Sequence, residues 1–246
     1  MERLPLRATV TEAAQRYGEQ FPALLRVIAL PALAYAVMSY LWYDAFSENR
    51  LTWILLLVAQ GFPLTLAAIS CHRVFLLGSE SVPSLGASGT TARDWRFIGM
   101  ATLLFVITNI LLQVPVTITF LSVGLFKPGL VPPDYDTVQA IGRIVSLPAI
   151  YVACRFSICL PAIAVGRRLG MRQAWMLTRG YGWRLLLLIG VAPYLLRFTQ
   201  HLLANVFPSN TDYTIVDGVL FWSFLPFEIA LLSICYRRLS NDATVA

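Results

Sequence analysis

Hydrophobic residues gather in six long stretches, at about 24–43, 51–77, 97–125, 137–165, 183–206 and 215–236, separated by short polar connections. Each stretch is long enough for a helix to cross a bilayer core, which takes roughly 20 residues. Prolines 31, 63, 115, 148, 161, 193 and 226 fall inside these stretches. Such prolines are tolerated as kinks in membrane bundles. Ahead of the first stretch, Thr9-Val10-Thr11-Glu12 reads as a capping box. Val10, Ala13, Ala14, Tyr17 and Phe21 then form one apolar stripe, which predicts a short interfacial helix over 9–21. Pro22 marks its expected junction with the first span. The fold class this pattern predicts is an all-α integral membrane protein with six transmembrane helices.

Composition agrees. Of 246 residues, 57% are hydrophobic and 13% are charged, and the mean hydropathy is +0.67. Soluble domains carry about 25% charged residues. The six spans and their connections use nearly the whole chain, so it reads as a single membrane domain. The net charge is +6, and Lys127 is the one basic residue that is not arginine. In a membrane chain the arginines mark cytoplasmic connections and meet anionic headgroups. Nucleic acid is not an expected partner.

Arg3, Arg7 and Arg16 precede span 1, and Arg73, Arg93 and Arg96 flank the connection after span 2. Arg167, Arg168, Arg172, Arg179 and Arg184 follow span 4, and Arg237 and Arg238 close span 6. The other connections are poor in positive charge, so both termini are expected in the cytoplasm. The first twenty residues are too polar for a signal peptide, and the first span is expected to direct insertion.

Each even span ends near a cysteine and an arginine: Cys71-His-Arg73, Cys154-Arg155 and Cys235-Tyr-Arg237. The three arginines are evenly spaced along the chain. This suggests three helical hairpins, each preceded by an interfacial amphipathic segment. The stretch Arg155-Phe-Ser-Ile-Cys-Leu-Pro161-Ala-Ile-Ala carries a family likeness, with Met171-Arg-Gln-Ala-Trp175 and Thr178-Arg-Gly180-Tyr-Gly-Trp183. Here the chain resembles the YciC-like family and the membrane domain of some glycerophosphodiester phosphodiesterases. The resemblance covers about a third of the chain. It implies a six-span bacterial inner-membrane protein without catalysis of its own, and it carries over no functional residues.

Two sets of candidate residues stand out. Arg197, Gln200, His201 and Asn205 share one face of span 5, and Glu228 lies near the middle of span 6. A lone charge in mid-membrane is expensive, which makes the two functional candidates, and on adjacent spans Arg197 and Glu228 could pair. The pair reads either as a polar site or as a device that fixes helix register. In span 3, Thr102, Asn109, Gln113 and Thr117 form a polar stripe that reads as interhelical glue or as a cavity lining. The second set is basic and aromatic. Arg73, Arg155 and Arg237 are expected at the cytoplasmic leaflet, where guanidinium can meet phosphate. Read as one helix, Arg168, Arg172, Trp175 and Arg179 form a stripe suited to anionic headgroups or to a partner.

Chemistry-bearing motifs are missing. There is no zinc-protease, phosphate-loop or serine-elbow signature, and no metal-spaced His/Cys cluster. The four cysteines form no C-x-x-C pair. No enzyme activity, cofactor or metal is expected. Three readings stay open: a non-enzymatic protein that interacts with lipids or organises the envelope, a small transporter using the intramembrane polar residues, and an accessory subunit. Anionic lipids, a membrane-protein partner or further copies of the chain are the partners these readings imply.

Overall fold

A computed structural model of the chain describes residues 4–45, 50–87, 89–126, 146–204, 206 and 210–243. Among these residues all regular structure is helical. Helix α1 spans Leu6–Ala45, α2 spans Arg50–Leu77, and α3 spans Ala92–Phe126. Three short helices follow: α4 (Leu147–Phe156), α5 (Cys159–Ala164) and α6 (Met171–Leu177). Then α7 (Gly182–Leu185) runs through a π-helical stretch, Leu186–Val191, into α8 (Ala192–Ala204). Helix α9 spans Asn210–Ala243. Among the described residues, five helical stretches are long and apolar enough to cross a membrane: Leu6–Leu41, Ala92–Gln113, Leu147–Ala164, Gly182–Gln200 and Ile215–Ser240.

The separate helix expected over 9–21 is not there. Helix α1 is continuous for 40 residues through Pro22 and Pro31. A proline withdraws one N–H and crowds one carbonyl. Here α1 packs along both α2 and α9, which holds it in line across those gaps. The expected capping box is not formed either. The helix starts at Leu6, so Thr9 already lies inside it, and its buried hydroxyl donates to the Pro5 carbonyl at 2.7 Å. At ~1.5 Å per residue α1 is about 60 Å long, twice a hydrocarbon core of ~30 Å. In its N-terminal half Ala13 is fully buried, and the Tyr17 hydroxyl donates to the Ser223 carbonyl at 2.9 Å. That half packs on protein.

Two prolines shape the rest. The fourth span breaks at Ser157–Ile158, between α4 and α5. Pro161 has no N–H to offer the Ser157 carbonyl, which accepts instead from Leu160 N–H at 2.9 Å. Pro193 likewise cannot bond the Ile189 carbonyl. The ladder slips one residue, and Ala192 N–H reaches the Leu187 carbonyl, the i→i−5 bond of a π-helix.

Burial is uneven along the helices. The main core joins Leu24 and Ile28 of α1, Val74 of α2, Ile158, Leu185, and Leu231 and Ile234 of α9. Cys71, Cys154 and Cys235 all converge in it. A second cluster, with Ile69, Phe97, Cys159, Ile163 and Ala174, ties α2 and α3 to α5 and α6. Both clusters sit toward the arginine-bearing ends of the helices. Elsewhere Leu33, Tyr40, Val58, Phe105, Phe198 and Val219 are exposed. Lipid tails solvate such side chains as well as a protein core does, so no hydrophobic force draws those halves together.

Candidate functional site

The arginine-bearing end carries a cleft of about 560 Å³. One wall is the start of α3. Thr91 and Asp94 form a reciprocal cap there: the Thr91 hydroxyl oxygen accepts Asp94 N–H at 3.2 Å, and the Asp94 carboxylate accepts Thr91 N–H at 3.4 Å. That cap fixes the first turn and sets Arg93, Arg96, Met100 and Leu103 at i, i+3, i+7 and i+10, all on the cleft wall. The other wall is the stretch after α5. Gly166, at φ 85°, ends that helix. Its N–H bonds the Ile163 carbonyl and Arg167 N–H bonds the Ala162 carbonyl, both at 2.9 Å. These are the paired bonds of a Schellman stop, which needs the left-handed residue. The chain then turns so that Arg167 and Arg168 line the cleft opposite Arg93 and Arg96.

Four arginines therefore line one opening, and among the described residues no carboxylate lines it. Asp94 is buried behind Arg93, with 3.8 Å between its Oδ1 and Arg93 Nε. Arg73 lies near enough to both to interact with their charges. Arg167 is braced by the Tyr236 hydroxyl at 3.5 Å. The floor is apolar: Met100, Leu103, Ile163 and Leu169. It is not closed on the bilayer side. Leu103 is exposed, and Val106 and Ile110, at i+3 and i+7 from it on α3, are exposed as well. An apolar track thus leads from the arginines along a transmembrane helix.

The residues read from sequence as headgroup candidates are dispersed by the fold. Arg168 lines the cleft, and Arg73 does not, though it is close enough to Arg93 and Asp94 to feel their charges. Arg172 and Arg179 are exposed but outside it. The expected stripe of Arg168, Arg172, Trp175 and Arg179 is not one helix. Gly170 N–H bonds the Gln173 side chain at 3.0 Å and starts α6 after Arg168; α6 stops at Leu177, before Arg179 and before Gly180 at φ 84°.

Arg155 is buried, with only 6% of it exposed. Its Nε donates to the Thr178 hydroxyl at 2.9 Å, and its Nη2 donates to the Trp175 carbonyl. The guanidinium lies 3.4 Å from the centre of the Trp175 ring, a cation–π contact. Arg237 is also committed, to Glu12, which Arg238 binds at 2.7 Å. The sequence did not show these protein partners of Arg155 and Arg237.

In the membrane, Arg197 and Glu228 lie 3.1 Å apart. Arg197 also donates to Gln200 at 3.2 Å, and Gln200 donates to the Asp217 carboxylate at 2.8 Å. The Arg197 guanidinium lies 4.2 Å from the Phe221 ring centre. This network joins α8 to α9. The side chain of His201 and the residue Asn205 lie outside the described set. Asn109 bonds its own helix at the Phe105 carbonyl, 2.8 Å away, while Thr102, Gln113 and Thr117 are exposed. Thr102, Gln113 and Thr117 of the span 3 stripe therefore point outward.

The sequence did not bring the cleft together. Arg93 and Arg96 are spaced for one helix face, and Arg167-Arg168 precede a glycine, but no local pattern says that two basic pairs so far apart in sequence meet. The chain matches no protein-family profile, curated protein or solved structure.

Proposed function

We propose that this is a non-enzymatic, six-span protein of a bacterial inner membrane that holds an anionic lipid at its cytoplasmic side. Helix α2, 28 residues long, supplies the sixth span. The positive-inside rule places the arginine-bearing ends and both termini in the cytoplasm. The observation that carries the reading is the cleft: four arginines lining it, an apolar floor, and an apolar track into the bilayer. Guanidinium is the side chain suited to phosphate oxygens, and basic pockets on the cytoplasmic side of helix bundles take lipid headgroups.

Native mass spectrometry of gently extracted protein tests this. A bound anionic lipid is expected, and it should be lost in the Arg96→Ala/Arg168→Ala double variant. Arg172→Ala/Arg179→Ala should keep it. A wild type free of lipid, or equal binding by both double variants, would contradict the reading.

The outward polar stripe of α3 favours a second role, contact with another transmembrane helix. Polar side chains facing lipid gain hydrogen bonds when a helix covers them. A photo-crosslinker at Gln113 should give a discrete protein adduct in native membranes; labelling of lipid alone would exclude that contact.

A further inference from the structure

We propose that the lipid in this cleft carries two phosphates, either two phosphodiesters or a diphosphate, on an apolar anchor. The inference rests on the lipid-binding reading above and goes further through the charge of the cleft. Arg93, Arg96, Arg167 and Arg168 line it, and Arg73 interacts with Arg93. Among the described residues Asp94 is the one carboxylate beside these five arginines, so a net excess of positive charge remains.

A single phosphodiester has one negative charge and two non-bridging oxygens. Its single negative charge offsets one guanidinium and leaves the rest of the rim's positive charge without a matching anion. Two neighbouring phosphates supply four or more outer oxygens and at least two negative charges. They can engage the Arg93/Arg96 wall and the Arg167/Arg168 wall at once. The space agrees: about 560 Å³ is the size of a small-molecule site, far more than one phosphate fills. The apolar track over Leu103, Val106 and Ile110 gives the anchor its path and favours a lipid over a soluble diphosphate.

The experiment is a competition read by native mass spectrometry. Delipidated protein in detergent is offered three lipids at equal total lipid charge: phosphatidylglycerol with one phosphate, cardiolipin with two phosphodiesters, and a polyprenyl diphosphate. Inorganic diphosphate is a fourth arm. At least one two-phosphate lipid should bind about tenfold or more tighter than phosphatidylglycerol. The preference should fall to under about twofold in Arg96→Gln/Arg168→Gln and persist in Arg172→Gln/Arg179→Gln. The better of the two lipids identifies the headgroup.

Equal retention of phosphatidylglycerol would overturn the two-phosphate inference and leave lipid binding standing. Retention of no lipid would overturn both. Inorganic diphosphate binding as tightly as the lipids would replace the lipid with a soluble ligand. Should the double variant fail to fold, the wild-type ranking still decides.

Discussion

Arg155 shows how far a residue's role depends on its partners. Its chemistry suits a phosphate, yet it is buried under Trp175 with its donors spent on Thr178 and the Trp175 carbonyl. Hydrogen bonds to a charged group are worth about 1.5–3 kcal/mol, and a desolvated cation–π contact adds about 0.5–2 kcal/mol. Arg155→Ala should therefore lower the thermal stability of the purified protein markedly. Arg155→Lys should recover less than half of the loss, because ammonium neither forks nor stacks as guanidinium does. Lipid retention by the folded fraction of either variant should match wild type; selective lipid loss would return Arg155 to the site. Arg197 and Glu228 behave as sequence reasoning expects of two opposite charges on adjacent spans. Removing one partner leaves the other charge on an apolar helix without its counter-ion. Arg197→Ala should cut the folded yield, and the exchange Arg197→Glu/Glu228→Arg should restore much of it. Low yield of the exchange variant, equal to that of Arg197→Ala, would count against a direct pair.

Helices and their ends were legible where local chemistry decides them. Pro161 and Pro193 lie at the break and the π-helical slip because a missing N–H acts whatever surrounds it. Pro22 was misleading for the opposite reason: two packed neighbours hold α1 straight across it. The cap that shapes the cleft is Thr91 with Asp94, not Thr9 with Glu12. Replacing an N-cap threonine with alanine costs about 0.5–2 kcal/mol. Thr91→Ala should reduce stability by that order and loosen the first turn of α3, so lipid retention should fall with it. Unchanged retention would show that the cap does not position Arg93 and Arg96. Gly182 matters through contact. A Cβ there would come within 2.6 Å of Tyr151 ring carbons, so Gly182→Ala should displace α4 from α7 and lower the melting temperature.

Across the molecule, the packed end is closed by Glu12, which joins α1 to Arg237 and Arg238 of α9 and also lies 3.5 Å from Arg16. Arg184 adds a bond to the Leu4 carbonyl at 3.1 Å, tying the start of α7 to the N-terminal segment. Partly exposed ion pairs contribute about 0.2–1 kcal/mol each. Glu12→Lys should remove three such attractions and add repulsion, so limited proteolysis should cut the N-terminal segment faster; an unchanged cleavage rate would show that the apolar contacts of α1 suffice. The sequence by itself determined the membrane-spanning helical class and the segregation of arginine, because hydrocarbon length and charge solvation act on each segment separately. Local proline chemistry was fixed in the same way. Only the tertiary structure decided which arginines are free. Whether a guanidinium meets Trp175, Glu12 or an open cleft depends on segments distant in sequence, and no local period records which of them arrive at the same place.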